Sequence, residues 1–181
     1  MRPRPSPRRL RQPRRRPSST GSDVTSFRTP RARTSRGAFS IAPRRSRMGD
    51  VTDAGTRCPC GSGLSYGECC GPIHVGARRA ATAEQLMRSR YCAFALGDTA
   101  YVLSSWHPST RPTSLDTEPD VVWRRLDVLR SAGGGPFDTT GTVEFRARWR
   151  QGDDRGVLHE RSRFERAAGA WLYVDGELLP D

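Results

Sequence analysis

Helical signals in the first half of the chain, followed by period-two alternation in the last third, predict an α+β fold. Three observations carry this: a capping box at Thr82–Gln85 that opens an apolar stripe, a second capped turn at Asp98, and strand alternation from Thr142 onward. Helices first and strands afterwards is the order in which helices cover one face of an antiparallel sheet.

The first element is a cysteine cluster, Cys58-Pro59-Cys60-Gly61-Ser62-Gly63-Leu64-Ser65-Tyr66-Gly67-Glu68-Cys69-Cys70, a C-x-C-x8-C-C spacing. In extended backbone Cys58 and Cys60 project to the same side, because side chains alternate with period two. Gly61, Gly63 and Gly67 permit positive φ, so the loop can turn tightly and return Cys69 and Cys70 to the same point. Four thiolates at ~2.3 Å in a closed tetrahedron is the structural zinc arrangement, with no open position for a substrate. A disulfide pair and a redox switch compete with this reading; the reducing compartment expected of a chain without a secretion signal favours the metal. His74 could replace one thiolate but reads better as a neighbour of the site. Cys92 lies outside the cluster, in an apolar helical stretch, and reads as a buried inert thiol.

Next comes the helix. Thr82 accepts from a backbone N–H while Gln85 reaches back, and Gly97 ends the helix after Leu96. Ala83, Met87, Tyr91 and Phe94/Ala95 form its apolar stripe. Asp98 caps a short second helix to about Ser105, which Pro108 prevents from continuing. A polar loop from His107 to about Asp120 follows.

The period then changes to two. A strand is expected near Leu126 to Ala132. The clearest strand has Val143, Phe145, Ala147 and Trp149 on one face and Thr142, Glu144, Arg146 and Arg148 on the other. Gly152-Asp153-Asp154 turns into a strand over about 156–166, and Gly169 leads into a last one, Trp171 to Asp175. This makes about four antiparallel strands.

On the third strand Leu158, Glu160, Ser162 and Phe164 share one face, which the apolar pair turns inward. Glu160 is then an acid in an apolar setting, and must find a donor or have its pKa raised. His107, Arg88 and Arg90 are the candidate partners. One reading is a small pocket in which Glu160 acts as acid/base beside Trp106-His107, with Arg88, Arg90 and Ser162 around it. The other, which we favour, is a structural ion pair or hydrogen bond tying sheet to helix and loop. Trp106, Trp123, Trp149 and Trp171 read as packing residues. His159, on the opposite face, is expected to be exposed to solvent.

Charge separates the chain into unlike parts. The 181 residues carry a net charge of +12, yet residues 1–47 hold 15 Arg and one acid, Asp23, while residues 48–181 hold 16 Arg and 18 acids. The tail, with 8 Ser and 7 Pro besides its Arg, has too little apolar surface to offset the entropy lost on folding and is expected to be disordered. It reads as a polybasic arm for phosphates or anionic lipid, or as an organellar presequence, though its prolines oppose the presequence helix. The absence of Lys, together with the abrupt change in composition, also makes Met48 a candidate natural start and residues 1–47 a candidate upstream extension. The expected organisation is a 1–47 tail, a 48–76 zinc motif and a 77–181 α+β domain. No stretch reaches the ~20 apolar residues of a membrane span.

The segment Cys58-Pro59-Cys60-Gly61-Ser62-Gly63, followed by Tyr66, Cys69 and Cys70, resembles the SEC-C motif, a small zinc module. "TAEQLMRSRYCAF" (82–94), "WHPSTR" (106–111), "TVEFRARW" (142–149), "ERSRFER" (160–166) and "WLYVDGE" (171–177) resemble the YchJ-like family of uncharacterised bacterial proteins with an N-terminal SEC-C zinc motif. The resemblance covers about residues 57–177. It implies a nuclear-transport-factor-2-like (cystatin-like) cone behind a zinc hairpin, with Cys58, Cys60, Cys69 and Cys70 as the ligands of one structural Zn2+ per chain.

The function expected from all this is that of a small cytoplasmic zinc-binding protein. It would serve as an interaction or accessory module, presenting the loop around Leu64 to Glu68 to a protein partner. The alternative is a small-molecule binder or enzyme using the cone, with Glu160, His107 and Arg90. Neither a membrane partner nor, apart from the basic tail, a nucleic-acid partner is expected, because the body lacks a basic field. No nucleophile–base pair, phosphate loop or open metal site is legible, so no reaction can be named, and the enzyme reading ranks below the interaction module.

Overall fold

A computed structural model describes residues 53–115 and 120–180. The tail of residues 1–47 and Met48 lie outside the described residues, as does part of the loop before Asp120. The elements run α1 (Gly71–His74), α2 (Ala83–Leu96), α3 (Thr99–Ser104), β1 (Val121–Gly133), β2 (Thr140–Gln151), β3 (Asp154–Ala167) and β4 (Ala170–Leu178). The strands form one antiparallel sheet in the order β1-β2-β3-β4, a meander of hairpins.

The expected α+β order holds, and the caps form at the residues that announced them. Thr82 Oγ1 accepts from Gln85 N at 3.1 Å, and Gln85 Oε1 accepts in return from Ala81 N at 2.7 Å, one residue earlier than a capping box would place it. Asp98 Oδ1 accepts from Tyr101 N at 2.9 Å, and Gly97 closes α2 at φ 74°.

All four strands outrun their expected limits. β1 starts at Val121 rather than near Leu126 because the pairing with β2 slips between Trp123 and Arg125 and again between Val128 and Arg130, and each irregularity breaks the alternation that marks a strand. The β2–β3 pair has no slip, so Val143 opposes Ser162, Phe145 opposes Glu160 and Ala147 opposes Leu158, all on the inner face. The β3–β4 register shifts between Arg163 and Phe164, which leaves Val174 as an extra residue and sets Asp175 against Arg163, while Tyr173 keeps the hairpin register opposite Phe164.

The inner face meets α2 in a core built on Leu86, Met87, Tyr91, Val143, Phe145, Phe164 and Trp171. Ala83, Met87 and Tyr91 of the expected stripe of α2 are buried there while Phe94 and Ala95 are half-buried, and Leu86, Ser89, Arg90, Cys92 and Ala93 are buried as well. The reason is that the cysteine hairpin also packs against α2, through Arg88 to Cys60 O and His74 to Ser89 O, so the helix has little solvent face. Trp123 packs edge-on against Tyr91, with ring centroids 5.9 Å apart.

The free edge of β4 is covered by the segment after α3. His107 N donates to Tyr173 O at 2.7 Å, Tyr173 N donates to Ser105 O at 3.0 Å, and Thr110 Oγ1 donates to Val174 O at 2.6 Å. Among the described residues no helix is long and apolar enough to cross a membrane.

Candidate metal centre

The hairpin that carries the cysteines is closed by its own backbone. Cys58 N donates to Leu64 O at 2.9 Å, Tyr66 N to Thr56 O at 2.7 Å, and Gly61 N to Cys58 O at 3.2 Å. Cys69 and Cys70 follow on the turn that enters α1. The Sγ atoms of Cys58, Cys60, Cys69 and Cys70 thereby lie within 4.8 Å of one another. None of the five cysteines forms a disulfide. The separations of 3.5 Å for Cys60–Cys69 and 3.8 Å for Cys69–Cys70 fit the ~3.8 Å edge of a tetrahedron whose corners stand ~2.3 Å from zinc. Cys58, Cys60 and Cys70 are buried, while Cys69 is partly exposed and its sulfur meets Ser62 Oγ at 3.1 Å.

With their protons on, the sulfurs share hydrogens. Hydrogen bonds from Cys60 and Cys70 hold Cys58 well below the usual thiol range, and the same Cys58 contact pushes Cys60 up to about 11 and Cys70 higher still. Four thiolates this close repel one another unless a cation stands among them, so the donor set fits a dication. Two guanidiniums reach the same place: Arg88 donates to Cys60 O at 3.0 Å and Arg78 to Cys69 O at 2.6 Å. Their charge opposes the double negative charge that four thiolates and one dication would carry.

His74 is not among these donors. Its Nδ1 contacts Tyr66 Oη at 3.0 Å and its Nε2 contacts Ser89 O at 2.9 Å, so it bolts the hairpin to α2.

A second polar group of residues lies inside the sheet. Glu160 Oε1 accepts from Ser162 Oγ at 2.6 Å and from Tyr173 Oη at 3.3 Å. Its carboxylate lies in the space that a Cβ on Gly176 would fill. Burial raises the Glu160 pKa, although Ser162, Tyr173 and the charge of Arg90 all pull it down. Arg90, itself buried, donates to Val102 O and to Ser105 Oγ, both at 2.7 Å, and burial lowers it to about 10. Its guanidinium carbon stands 4.2 Å from the Tyr173 ring centroid and 4.9 Å from that of Trp106.

Of the six candidate pocket residues, the structure thus gathers Arg90, Trp106, Glu160 and Ser162, joined through Tyr173. Arg88 is elsewhere: besides Cys60 it pairs with Glu84 at 2.9 Å. The His107 side chain also turns away, toward Ser109 Oγ at 2.6 Å and Glu165 at 3.9 Å. His159 corrects our expectation of an exposed residue. Its side chain is only 9% exposed, because the C-terminal segment folds over it: Nδ1 contacts Pro180 O at 2.8 Å and Nε2 contacts Glu144 at 3.2 Å.

Tyr173 and Ser105 escaped the sequence reading. Tyr173 alternates with Trp171 on the last strand and was legible as inward-facing. Its contact with Arg90 joins β4 to α2, elements far apart in sequence. Two surface depressions are lined by other residues: one by Thr142, Arg161, Arg163, Asp175, Gly176 and Glu177 on the outer face, the other by Leu103, Pro108, Arg111, Pro112 and Thr113.

Comparison with known proteins agrees with this two-part architecture. Residues 56–72 match the family model described as the SEC-C motif, and residues 82–176 match "YchJ, middle NTF2-like domain". The chain belongs to the YchJ-like, UPF0225 family. A UPF0225 protein of Streptomyces coelicolor is 57% identical over 122 residues, which span 67% of this chain and 95% of that protein. One from Corynebacterium glutamicum is 51% identical, over 68% of this chain and 98% of the relative. The solution structure of a SEC-C motif containing protein from Rhodopseudomonas palustris, 40% identical, aligns with a TM-score of 0.60 over 68% of this chain and 98% of its own. A crystal structure of a SEC-C motif containing protein from Psychrobacter arcticus, 27% identical, aligns with a TM-score of 0.58 over 71% and 85%. This YchJ-like chain therefore has the NTF2-like fold expected of it, and its SEC-C motif carries a cysteine cluster suited to a metal.

Proposed function

We propose that this YchJ-like protein holds one structural Zn2+ through Cys58, Cys60, Cys69 and Cys70, and that it works in the cytoplasm as an interaction or accessory module. The observation that carries the metal reading is the convergence of four sulfurs within 4.8 Å, three of them buried. A closed thiolate tetrahedron supplies cross-linking rather than Lewis-acid chemistry, since it offers no vacant position. Here the cross-link would fix the hairpin against α2, where Arg88 and His74 already dock it.

The surface presented is the hairpin tip. Leu64 is 52% exposed there, and Ser65 Oγ donates to Glu68 Oε2 at 2.6 Å, which stiffens the loop behind it. A rigid loop with an exposed apolar residue suits docking to a protein partner.

Elemental analysis of protein made under reducing conditions tests the metal reading. One equivalent of zinc is expected, lost on Cys58→Ser plus Cys69→Ser; a metal-free wild type would end it. Leu64→Lys should leave zinc content and melting temperature unchanged, and a large drop in either would show that Leu64 is packing rather than presentation.

A small-molecule binder or enzyme in the cone is the second reading. One observation favours it: Trp106 Nε1 is buried without a hydrogen-bond partner, next to Arg90. Against it, Glu160 and Arg90 each hydrogen-bond protein groups, which supports the scaffold role.

A further inference from the structure

A fifth sulfur, that of Cys92, lies beside the four-cysteine centre. Cys92 lies on α2, away from the hairpin in sequence, yet its Sγ stands 3.9 Å from Cys58 Sγ. That is the spacing of two ligands on one tetrahedral zinc, ~3.8 Å. Placement on the helix is rigid. Arg88 and Cys92 are an i,i+4 pair on one helix face, and Arg88 grips the Cys60 carbonyl while the intervening Ser89 carbonyl meets His74.

The five sulfurs are unequal in exposure. Cys58, Cys60, Cys70 and Cys92 are 5%, 0%, 1% and 0% exposed, whereas Cys69 is partly open to solvent. Cys69 is therefore the thiolate an electrophile reaches first. Cys92 is the one it reaches last.

We propose that Cys92 is a reserve metal ligand, a buried fifth thiol that completes a four-thiolate site with Cys58, Cys60 and Cys70 when Cys69 is lost. While Cys69 is intact, the Cys92 thiol donates to the Cys58 sulfur and positions it. When Cys69 is removed, Cys92 gives up its proton and takes the fourth position, so damage at the exposed corner does not release the ion. This proposal rests on the zinc reading above, and its test separates the two.

Zinc content and the cobalt(II) spectrum are measured for wild type, Cys69→Ser, Cys92→Ser and the double variant, with melting curves to show that each is folded. Wild type and both single variants should bind one equivalent. The thiolate-to-cobalt charge-transfer band of Cys69→Ser should match wild type, while the double variant, left with three thiolates, should lose about a quarter of that intensity. It should also release metal to a chelator about tenfold faster than Cys69→Ser.

A folded Cys69→Ser protein that binds no metal, or one with a three-thiolate spectrum, overturns the proposal but leaves the zinc reading standing. A metal-free wild type removes both. Should Cys69→Ser fail to fold, the natural chain still decides. Brief iodoacetamide treatment forms an S–C bond at Cys69 with loss of iodide, and native mass spectrometry should then show one zinc on the singly alkylated protein. Loss of zinc from that species has the same overturning force.

Discussion

The guanidinium of Arg90 lies 4.2 Å from the centre of the Tyr173 ring, and the Tyr173 hydroxyl donates to Glu160 at 3.3 Å, so one side chain of β4 separates and connects a buried cation and a buried acid. The helix, the α3 loop and the sheet are joined through this cluster. Arg90→Ala would strip Ser105 Oγ of its donor, leave Val102 O with Ser105 Oγ alone, and remove the counter-charge of Glu160, at a cost of about 3–5 kcal/mol. Arg90→Lys keeps the charge but not the fork that reaches both acceptors, and should fall between wild type and Ala. Urea unfolding measures both; an unchanged midpoint for Arg90→Ala would mean the cluster contributes nothing to stability.

Gly176 is where Glu160 finds room. A Cβ at this position collides with the Glu160 carboxylate, and the backbone φ there is not in the left-handed region, so the conflict is one of space alone. Gly176→Ala should cost about 1–3 kcal/mol, as overpacking does. Shortening Glu160 to Ser should recover part of that loss, giving a favourable coupling in a double-mutant cycle. Additive losses in the cycle would place the strain somewhere other than the carboxylate.

Glu160 also sets a pH signature. Burial raises its pKa above the ordinary 4.5, so its protonated form is favoured by folding. The stability this contributes is fully present below pH 4.5 and is lost as pH rises through the folded-state value. Glu160→Gln cannot titrate. At pH 4 the variant should be less stable than wild type by about 1 kcal/mol, since an amide N–H2 replaces a group matched to its two donors. Toward pH 8 the gap should narrow as wild type acquires a buried charge. Asp175 and Glu144, held below their usual range by Arg163 and by His159 with Arg161, titrate in both proteins and cancel in the comparison. Paired melts across this range decide the matter, and a gap that widens with pH contradicts the assignment.

What the sequence revealed follows the reach of each signal. Thr82, Gly97 and Asp98 act within a turn of the backbone, and their caps formed where the residues stood. Glu160 was placed inward correctly because the β2–β3 pairing runs without a slip, so alternation was a sound guide to its face. Its actual donors, Ser162 and Tyr173, were harder to reach: Ser162 shares its face, but Tyr173 comes from another strand, and which residues meet across β3 and β4 is set by a register that no single strand's pattern states. His159 was misjudged because alternation gives the face of the sheet, not what later folds over it; Leu179 and Pro180 do so here. Cys92 is buried as read, and only its neighbour went unseen, because Cys58 is brought to it when the hairpin docks on α2. The spread of buried residues around α2, beyond one stripe, was the available hint that the helix has a partner on each side.

Docking of the hairpin on α2 makes metal removal a graded event. Residues 56–74 are held by turn hydrogen bonds, by Arg88 and His74 contacts to α2, and by the thiol cluster, whereas β2 and β3 pair along their full length over the apolar core. In small peptides a structural zinc contributes ~10–16 kcal/mol, enough to decide folding alone, but here the hairpin packs on a larger core of α2 and sheet residues that the metal does not cross-link. Chelation should therefore speed amide exchange first in the hairpin and along α2 around Arg88 to Cys92, while the β2–β3 amides stay protected. Hydrogen–deuterium exchange with and without chelator reads this directly. Uniform loss of protection across the sheet would show that the ion supports the whole fold, and equal protection everywhere would show that the sulfurs hold no structural metal.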